Sequence, residues 1–270
     1  MSFNVNIKLP SGKERRVSEL NNKDYLTIVK FIENEDYQGL NLFFEDTILD
    51  ADLNIFDRFY LLIYIRMLFI DDKLTINNDD RQIDISLVAL LDSLESNYKD
   101  LETTFKEEDI SIVLDLPTLS YFNMIDELLI GSIKSITFGN NTLDFFDLSE
   151  TEKSNVLDNL PASVFQHIKQ FIGTITTDLL DITIIAENES LGVERFGVDV
   201  IGNGVIHFIS NLFATSLNEF YRTIYFFQNT ITPGSDLFFN LSPIESKIIM
   251  NHHNKRIKEE NEQLQKQNNG

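Results

Sequence analysis

The chain has 270 residues, of which 43% are apolar, so it is long enough to bury a core and too apolar for wholesale disorder. Its formal net charge of −21 disfavours binding to nucleic acids and to anionic membranes, because their phosphates attract Lys and Arg side chains. Cysteine is absent, which excludes disulfides and thiolate metal sites and fits a reducing cytoplasm. The apolar runs at 59–70 and 205–227 are too short or too polar to span a membrane.

A β-hairpin is predicted at the N-terminus. Apolar residues alternate with polar ones from 5 to 9, a Pro-Ser-Gly turn follows at 10–12, and the apolar pattern resumes at Val17 and Leu20. This alternation predicts one buried face. Because a lone hairpin is at best marginally stable, we expect this one to pack on the helices that follow.

Three helices are predicted next, at 23–33, 37–49 and 53–70. The third is apolar nearly all round and is expected at the centre of a first domain, 1–95. Its Arg66 is expected to form a structural salt bridge, since a buried charge is rarely left unpaired. A second hairpin at 73–85 and a helix at 87–94 complete this domain.

The middle of the chain mixes strands and helices. Residues 96–109 are polar and are interpreted as a linker or surface segment, and 110–116 as a strand followed by a helix at 122–133. A further hairpin is predicted near 134–146, because Gly139-Asn140-Asn141 tolerates the positive φ of a tight turn. The hairpin-then-helix order of the N-terminus thus recurs, either as a duplication or as a similar module.

The C-terminal half is predicted to be helical. Ser149 and Glu152 have capping-box spacing, a helix is expected from Pro161 to 186, and two more at 205–228 and 243–267 after an irregular Gly-rich segment. The predicted fold class is α+β and predominantly α-helical. The predicted domains are 1–95, a mixed then helical unit at 110–241, and a C-terminal helix with a polar tail at 242–270.

The chain carries no recognisable catalytic, cofactor-binding or metal-binding motif, so we predict that it is not an enzyme. His252 and His253 are adjacent and would point about 100° apart on a helix, while His167 and His207 lie in apolar-rich helices and are interpreted as core or boundary residues. The Gly-rich stretch at 197–205 lacks the Lys-Ser/Thr pair of a phosphate-binding loop.

The start of the last helix is predicted from three residues. Ser242 is expected at the N-cap, Pro243 at the first helical position, and Glu245 completes the capping box. After this capping box, one apolar residue recurs every seven positions. A coiled coil has two apolar positions per heptad, so this is half of its apolar pattern. This pattern leaves open self-association, a solvated helix that frays, and a helix that binds a partner. The candidate partner-binding residues are Phe208, Phe213, Phe220, Tyr221, Ile248, Ile257 and Leu264.

Three segments resemble the tail-baseplate hub proteins of T4-type contractile-tailed bacteriophages. They are LPSGK with the following NNKDYLTIVKF helix, the buried-helix run FDRFYLLIYIRMLFIDDKLTI (56–76), and the C-terminal NLSPIESKIIMNHHNKRIKEENEQLQKQN. Together these segments cover about a third of the chain. The similar family comprises the hub subunit and the hub assembly factor.

The resemblance implies a non-enzymatic hub assembly protein, either a chaperone or a hub component, that acts by protein–protein contacts. Its partners would be other phage tail and baseplate hub proteins, with a homo-oligomer as a further option and without cofactors, nucleic acid or membrane. It would work in the host cytoplasm during phage assembly or reside in the virion baseplate. The alternatives are a stoichiometric structural virion protein of the baseplate and an unrelated acidic cytoplasmic interaction protein.

Overall fold

The computed structural model describes residues 4–48, 52–78, 81–117, 125–177, 182–184, 194–196, 203–231 and 234–268. Over these ranges the fold is α+β and mostly helical, with small antiparallel sheets, which confirms the predicted class. None of the helices in these ranges is both long and apolar enough to cross a membrane.

The N-terminal hairpin consists of β1 (Asn4–Lys8) and β2 (Glu14–Ser18), which pair antiparallel. Its turn requires a glycine, because Gly12 has a φ of +85°. The backbone N–H of Ser11 in this turn donates to Oδ1 of the buried Asp57 at 3.1 Å. The hairpin is therefore fastened to a helix, as its pattern predicts.

Three helices follow: α1 (Asn22–Glu33), α2 (Tyr37–Thr47) and α3 (Ile55–Phe69). Each begins after a residue whose side chain accepts a backbone N–H of the first turn. These N-caps are Asn21, Asp36 and Asn54. Most of α3 is buried, so this helix lies at the centre of the core, as its all-round apolar sequence predicts.

The second hairpin, β3 (Lys73–Asn78) with β4 (Arg81–Ser86), leads directly into α4 (Leu87–Lys99). The helix extends past the predicted end at 94, and its last turn is stabilised where Tyr98 packs edge-on against Phe56 at 5.5 Å. Residues 96–109 are a surface segment, which is one of the two interpretations, and they are not a linker, because they contain the end of α4 and the strand β5 (Thr104–Glu107).

Strand β5 is the edge of a four-stranded antiparallel sheet in the order β5-β6-β7-β8. The other strands are β6 (Ile110–Leu114), β7 (Ile133–Phe138) and β8 (Asn141–Asp144), with α5 (Ile125–Gly131) between β6 and β7. The hairpin predicted near 134–146 is confirmed as β7–β8, with Gly139 at a φ of +59°. Unlike the N-terminal hairpin, it belongs to a larger sheet.

Within the described residues, the elements of the C-terminal half are helices and one short strand pair. Its elements are α6 (Glu150–Asp158), α7 (Ala162–Thr177), β9 (Ile182–Ile184) paired with β10 (Glu194–Phe196), α8 (Asn203–Phe213), α9 (Leu217–Thr230), α10 (Gly234–Asn240) and α11 (Pro243–Asn268). The capping box at Ser149 is confirmed, and Ser242 and Glu245 form the predicted contact at the start of α11.

Besides α4, two predicted helices of the C-terminal half have the wrong bounds. The helix expected to reach 186 gives way to β9 at Ile182-Thr183-Ile184, whose β-branched side chains favour a strand. The single helix expected at 205–228 is divided into α8 and α9, and Ser216 occupies the N-cap position of α9. Helix α10 had no counterpart in the prediction.

The C-terminal helices pack on the N-terminal ones. Helix α1 contacts α8, α9 and α10, and α3 contacts α8 and α11. Aromatic pairs fill these junctions, with Phe44–Phe213 at 5.3 Å, Phe59–Phe208 at 5.6 Å and Tyr25–Phe220 at 5.9 Å between ring centroids. The division into domains at 1–95, 110–241 and 242–270 stays a prediction.

One buried side chain joins the two ends of the chain. Asn22, which is 2% exposed, donates from Nδ2 to the backbone oxygen of Phe238 at 2.9 Å and to Oγ of Ser246 at 2.6 Å. Its own backbone N–H donates to the backbone oxygen of Leu241 at 2.8 Å. These bonds connect α10 and the start of α11 to the start of α1.

Replacing Asn22 with alanine should lower the free energy of unfolding by about 1–3 kcal/mol, because buried acceptors lose their donor. Urea unfolding measures this change, and limited proteolysis should show faster cleavage near 231–243. The neighbouring Asn21→Ala variant is the control, since it removes only the N-cap of α1 and should leave the C-terminal segment protected. Equal protection of that segment in both variants would contradict this assignment.

Candidate partner-binding surface

The structure separates the seven predicted partner-binding residues into two groups. Phe208, Phe213 and Phe220 are buried. Tyr221, Ile248, Ile257 and Leu264 are exposed, with exposed fractions from 39% for Ile257 to 56% for Leu264. Only the second group is available to a partner in this structure, and its role in binding stays a prediction.

The three phenylalanines belong to the core of this chain, and their role as contact residues stays a prediction. On α9, Phe220 and Phe227 are seven residues apart and form one buried face of the helix. On α8, Phe208 and Phe213 face α3 and α2 through their ring contacts. These rings could reach a partner only if both helices left the core.

Sequence reasoning missed Tyr225, which is 69% exposed and lies one helical turn after Tyr221. Arg222 is also exposed on α9, next to Tyr221. Tyrosine and arginine are the residue types that most often carry binding energy at protein interfaces. The spacing of the two tyrosines by four residues was the available signal, because that spacing places them on one face.

Helix α11 is attached to the body only over its first part. Lys247 forms an ion pair with Asp71 next to the end of α3, and the ring of His253 packs edge-on against Phe226 at 5.1 Å. From Asn254 to Lys266 every residue is exposed. At a rise of about 1.5 Å per residue, this part of the helix extends about 20 Å beyond the contacts.

A heptad pattern runs along this exposed part. Ile257 and Leu264 alternate with Asn254 and Asn261 at spacings of three and four residues, which are the core spacings of a coiled coil. We call these four residues the C-terminal stripe. Asn at a coiled-coil core position fixes register and oligomeric state at some loss of stability. Because an isolated polar helix is marginal in water, a partner helix on the stripe would stabilise it.

A cavity of about 450 Å³ lies between α1, α3, α9 and α11. Its walls carry charges of both signs, from Arg66, Asp71, Glu219 and Lys247. Arg66 donates to the backbone oxygens of Asp71 and Lys73, each at 3.3 Å, instead of forming the salt bridge that the sequence suggests. The carboxylate of Asp71 is engaged by Lys247.

Two groups that line this cavity have shifted pKa values. Burial lowers the pKa of the Arg66 guanidinium, and the nearby Tyr25, Asp71 and Asp72 partly offset this effect. Burial also raises the pKa of Tyr25 to about 12, against the opposing effects of Arg66 and of a hydrogen bond with Thr215. With this pKa, the Tyr25 hydroxyl stays protonated at neutral pH.

The histidines whose side chains the structure describes lie in different surroundings. His167 stacks on Phe105 at 4.3 Å between ring centroids, His252 is exposed, and the side chain of His207 lies outside the described residues. Within the described ranges no group of three His, Asp or Glu residues could hold a metal ion. Most of the Gly-rich stretch at 197–205 also lies outside the described residues.

A comparison with known protein families matches most of the chain. Residues 1–203 match the model of a family described as T4 bacteriophage base plate protein. The match covers well over half of the 270 residues, and the chain therefore belongs to this family of phage baseplate proteins. No curated protein matches the chain significantly, and neither does any solved structure. The exposed tyrosines of α9 and the C-terminal stripe follow the matched residues.

Proposed function

We propose that this baseplate protein is a non-enzymatic assembly protein of the baseplate hub, acting as a chaperone or a hub component through contacts with other hub proteins. The observation that carries the proposal is the C-terminal stripe. It lies on the exposed part of α11, which extends from a chain of the baseplate family. A partner helix packed along Ile257 and Leu264 would bury these side chains.

The charge of the chain supports such a role. A net charge of −21 keeps a protein with exposed apolar side chains dispersed until its partner is present. In this proposal the protein meets its partners in the host cytoplasm while the hub is built. Tyr221 and Ile248, exposed on α9 and at the start of α11, are proposed as additional contacts.

A stoichiometric structural component of the finished baseplate is the second candidate. The family match also supports this candidate, because the matched family is described as a base plate protein. The same match contradicts the other alternative, an acidic interaction protein unrelated to phage.

Quantitative mass spectrometry of hub intermediates and of finished virions distinguishes the two candidates. An assembly protein should be enriched in intermediates and be below integer stoichiometry in virions. Integer stoichiometry in virions would favour the structural role, and absence from both samples would contradict both.

A further inference from the structure

Strand β1 has an open edge. Among the described residues it pairs only with β2, and Leu9 N–H donates to the backbone oxygen of Lys13 at 2.8 Å at the end of this pair. Hydrogen-bonded and non-hydrogen-bonded positions alternate along an antiparallel pair. The backbone groups of Ile7 therefore point to β2, whereas those of Asn6 and Lys8 point away from it.

The open edge borders a groove of about 550 Å³. Residues 6–12 of the hairpin form one wall, and Tyr60, Tyr64, Glu95 and Lys99 of α3 and α4 form the other. The rings of Tyr60 and Tyr64 stack at 5.9 Å between centroids, and the Tyr60 hydroxyl donates to Oε1 of Glu95 at 3.1 Å. The groove thus combines unpaired strand backbone with an ordered aromatic wall.

The hairpin is also the basic part of an acidic protein. Residues 4–18 contain four cationic side chains and one acidic side chain, a net charge of +3 in a chain whose total is −21. Lys13 and Arg15 pair with Asp52, while Lys8 is exposed on β1 itself and Arg16 is exposed on the neighbouring strand β2. A segment with acidic side chains complements this charge, and a second copy of the chain is repelled by its overall charge.

We propose that β1 is a docking edge that takes an extended, acidic segment of another protein as a third strand. The outward N–H and C=O groups of Asn6 and Lys8 bond to the backbone of this segment, and the groove accepts its alternate side chains against Tyr60 and Tyr64. Lys8 selects for acidic residues. This surface is separate from the C-terminal stripe and gives the protein two different kinds of contact.

The test titrates the full-length protein with a synthetic peptide of about ten residues that alternates Val or Thr with Glu, and with a matched peptide that has Lys in place of Glu. NMR of the backbone amides should show hydrogen exchange slowed about tenfold or more at Asn6 and Lys8 by the acidic peptide, with little change at Ile7. Lys8→Glu should weaken binding about tenfold or more. Lys106→Glu, the same charge change on the exposed strand β5, should not affect it.

Asn6→Pro gives a second variant that removes an outward N–H without breaking a bond to β2, since proline is tolerated at strand edges. With its circular dichroism unchanged, it should lose peptide binding. The proposal is overturned if the acidic peptide does not bind at about 1 mM or if the Lys peptide binds equally well. It is also overturned if hydrogen exchange at Asn6 and Lys8 is unchanged, or if the wild type dimerises through β1. These results are independent of the proposed function, which is tested by mass spectrometry of hub intermediates and virions.

Discussion

Replacing Phe213 with alanine is expected to lower the free energy of unfolding by about 3–5 kcal/mol, the usual loss for a large aromatic removed from a core. Phe213 is completely buried, and its ring packs on Phe44 of α2. The substitution would leave a cavity where α8 meets the N-terminal helices. Urea unfolding followed by circular dichroism measures the change.

Tyr221→Ala is the matched control, because Tyr221 is an exposed aromatic on the adjacent helix α9. Its effect on stability should stay within about 0.5 kcal/mol, as for most surface substitutions. If Phe213→Ala left stability unchanged and abolished partner binding, the aromatic residues of α8 would form a contact surface and their place in the core would be wrong.

The second expected result concerns the C-terminal stripe. Combining Ile257→Asp and Leu264→Asp should weaken binding to the proposed hub partner by about two to four orders of magnitude, since each apolar side chain buried in a helix interface contributes about 1.5–3 kcal/mol. Stability should change little, because both side chains lie beyond the contacts of α11 with the body. Isothermal titration against the hub protein recovered from intermediates measures the loss.

A charge-matched control combines His252→Asp and Gln263→Asp, which add the same two negative charges to the opposite face of α11. This variant should bind as the wild type does. Equal losses in both double variants would show that added charge, and not the stripe, weakens binding. Sedimentation of the wild type alone shows whether the partner is a second copy of the chain. If it is, the wild type forms an oligomer whose size depends on concentration, and self-association is measured in place of binding to the hub protein.

Elements with strong local signals could be predicted from the sequence. The turn at Gly12, the all-round apolar α3 and the Gly139-Asn140-Asn141 hairpin depend on residues close to one another in the chain, and the structure confirms them. The start of α11 was equally clear, because Ser242 and Glu245 act within a single turn. In each case the residues that define the element lie within the element itself or within its turn.

Elements that depend on distant partners could not be predicted in this way. Strand β5 is polar because it is the edge of its sheet, and only its pairing with β6 reveals it. Likewise, Phe213 and Tyr221 are both aromatic residues on apolar helices, and packing on α2 decides which is buried. The bonds of Asn22 join positions more than 200 residues apart.

Phage assembly in infected cells tests the role of the protein and its stripe most directly. In cells infected with phage lacking this gene, supplied wild-type protein should restore baseplate hubs, detected by sedimentation and electron microscopy of lysates. The Ile257→Asp and Leu264→Asp double variant, present at equal level and folded, should not restore them. Normal hubs without the protein, or full restoration by the double variant, would contradict a contact role for the C-terminal stripe in hub assembly.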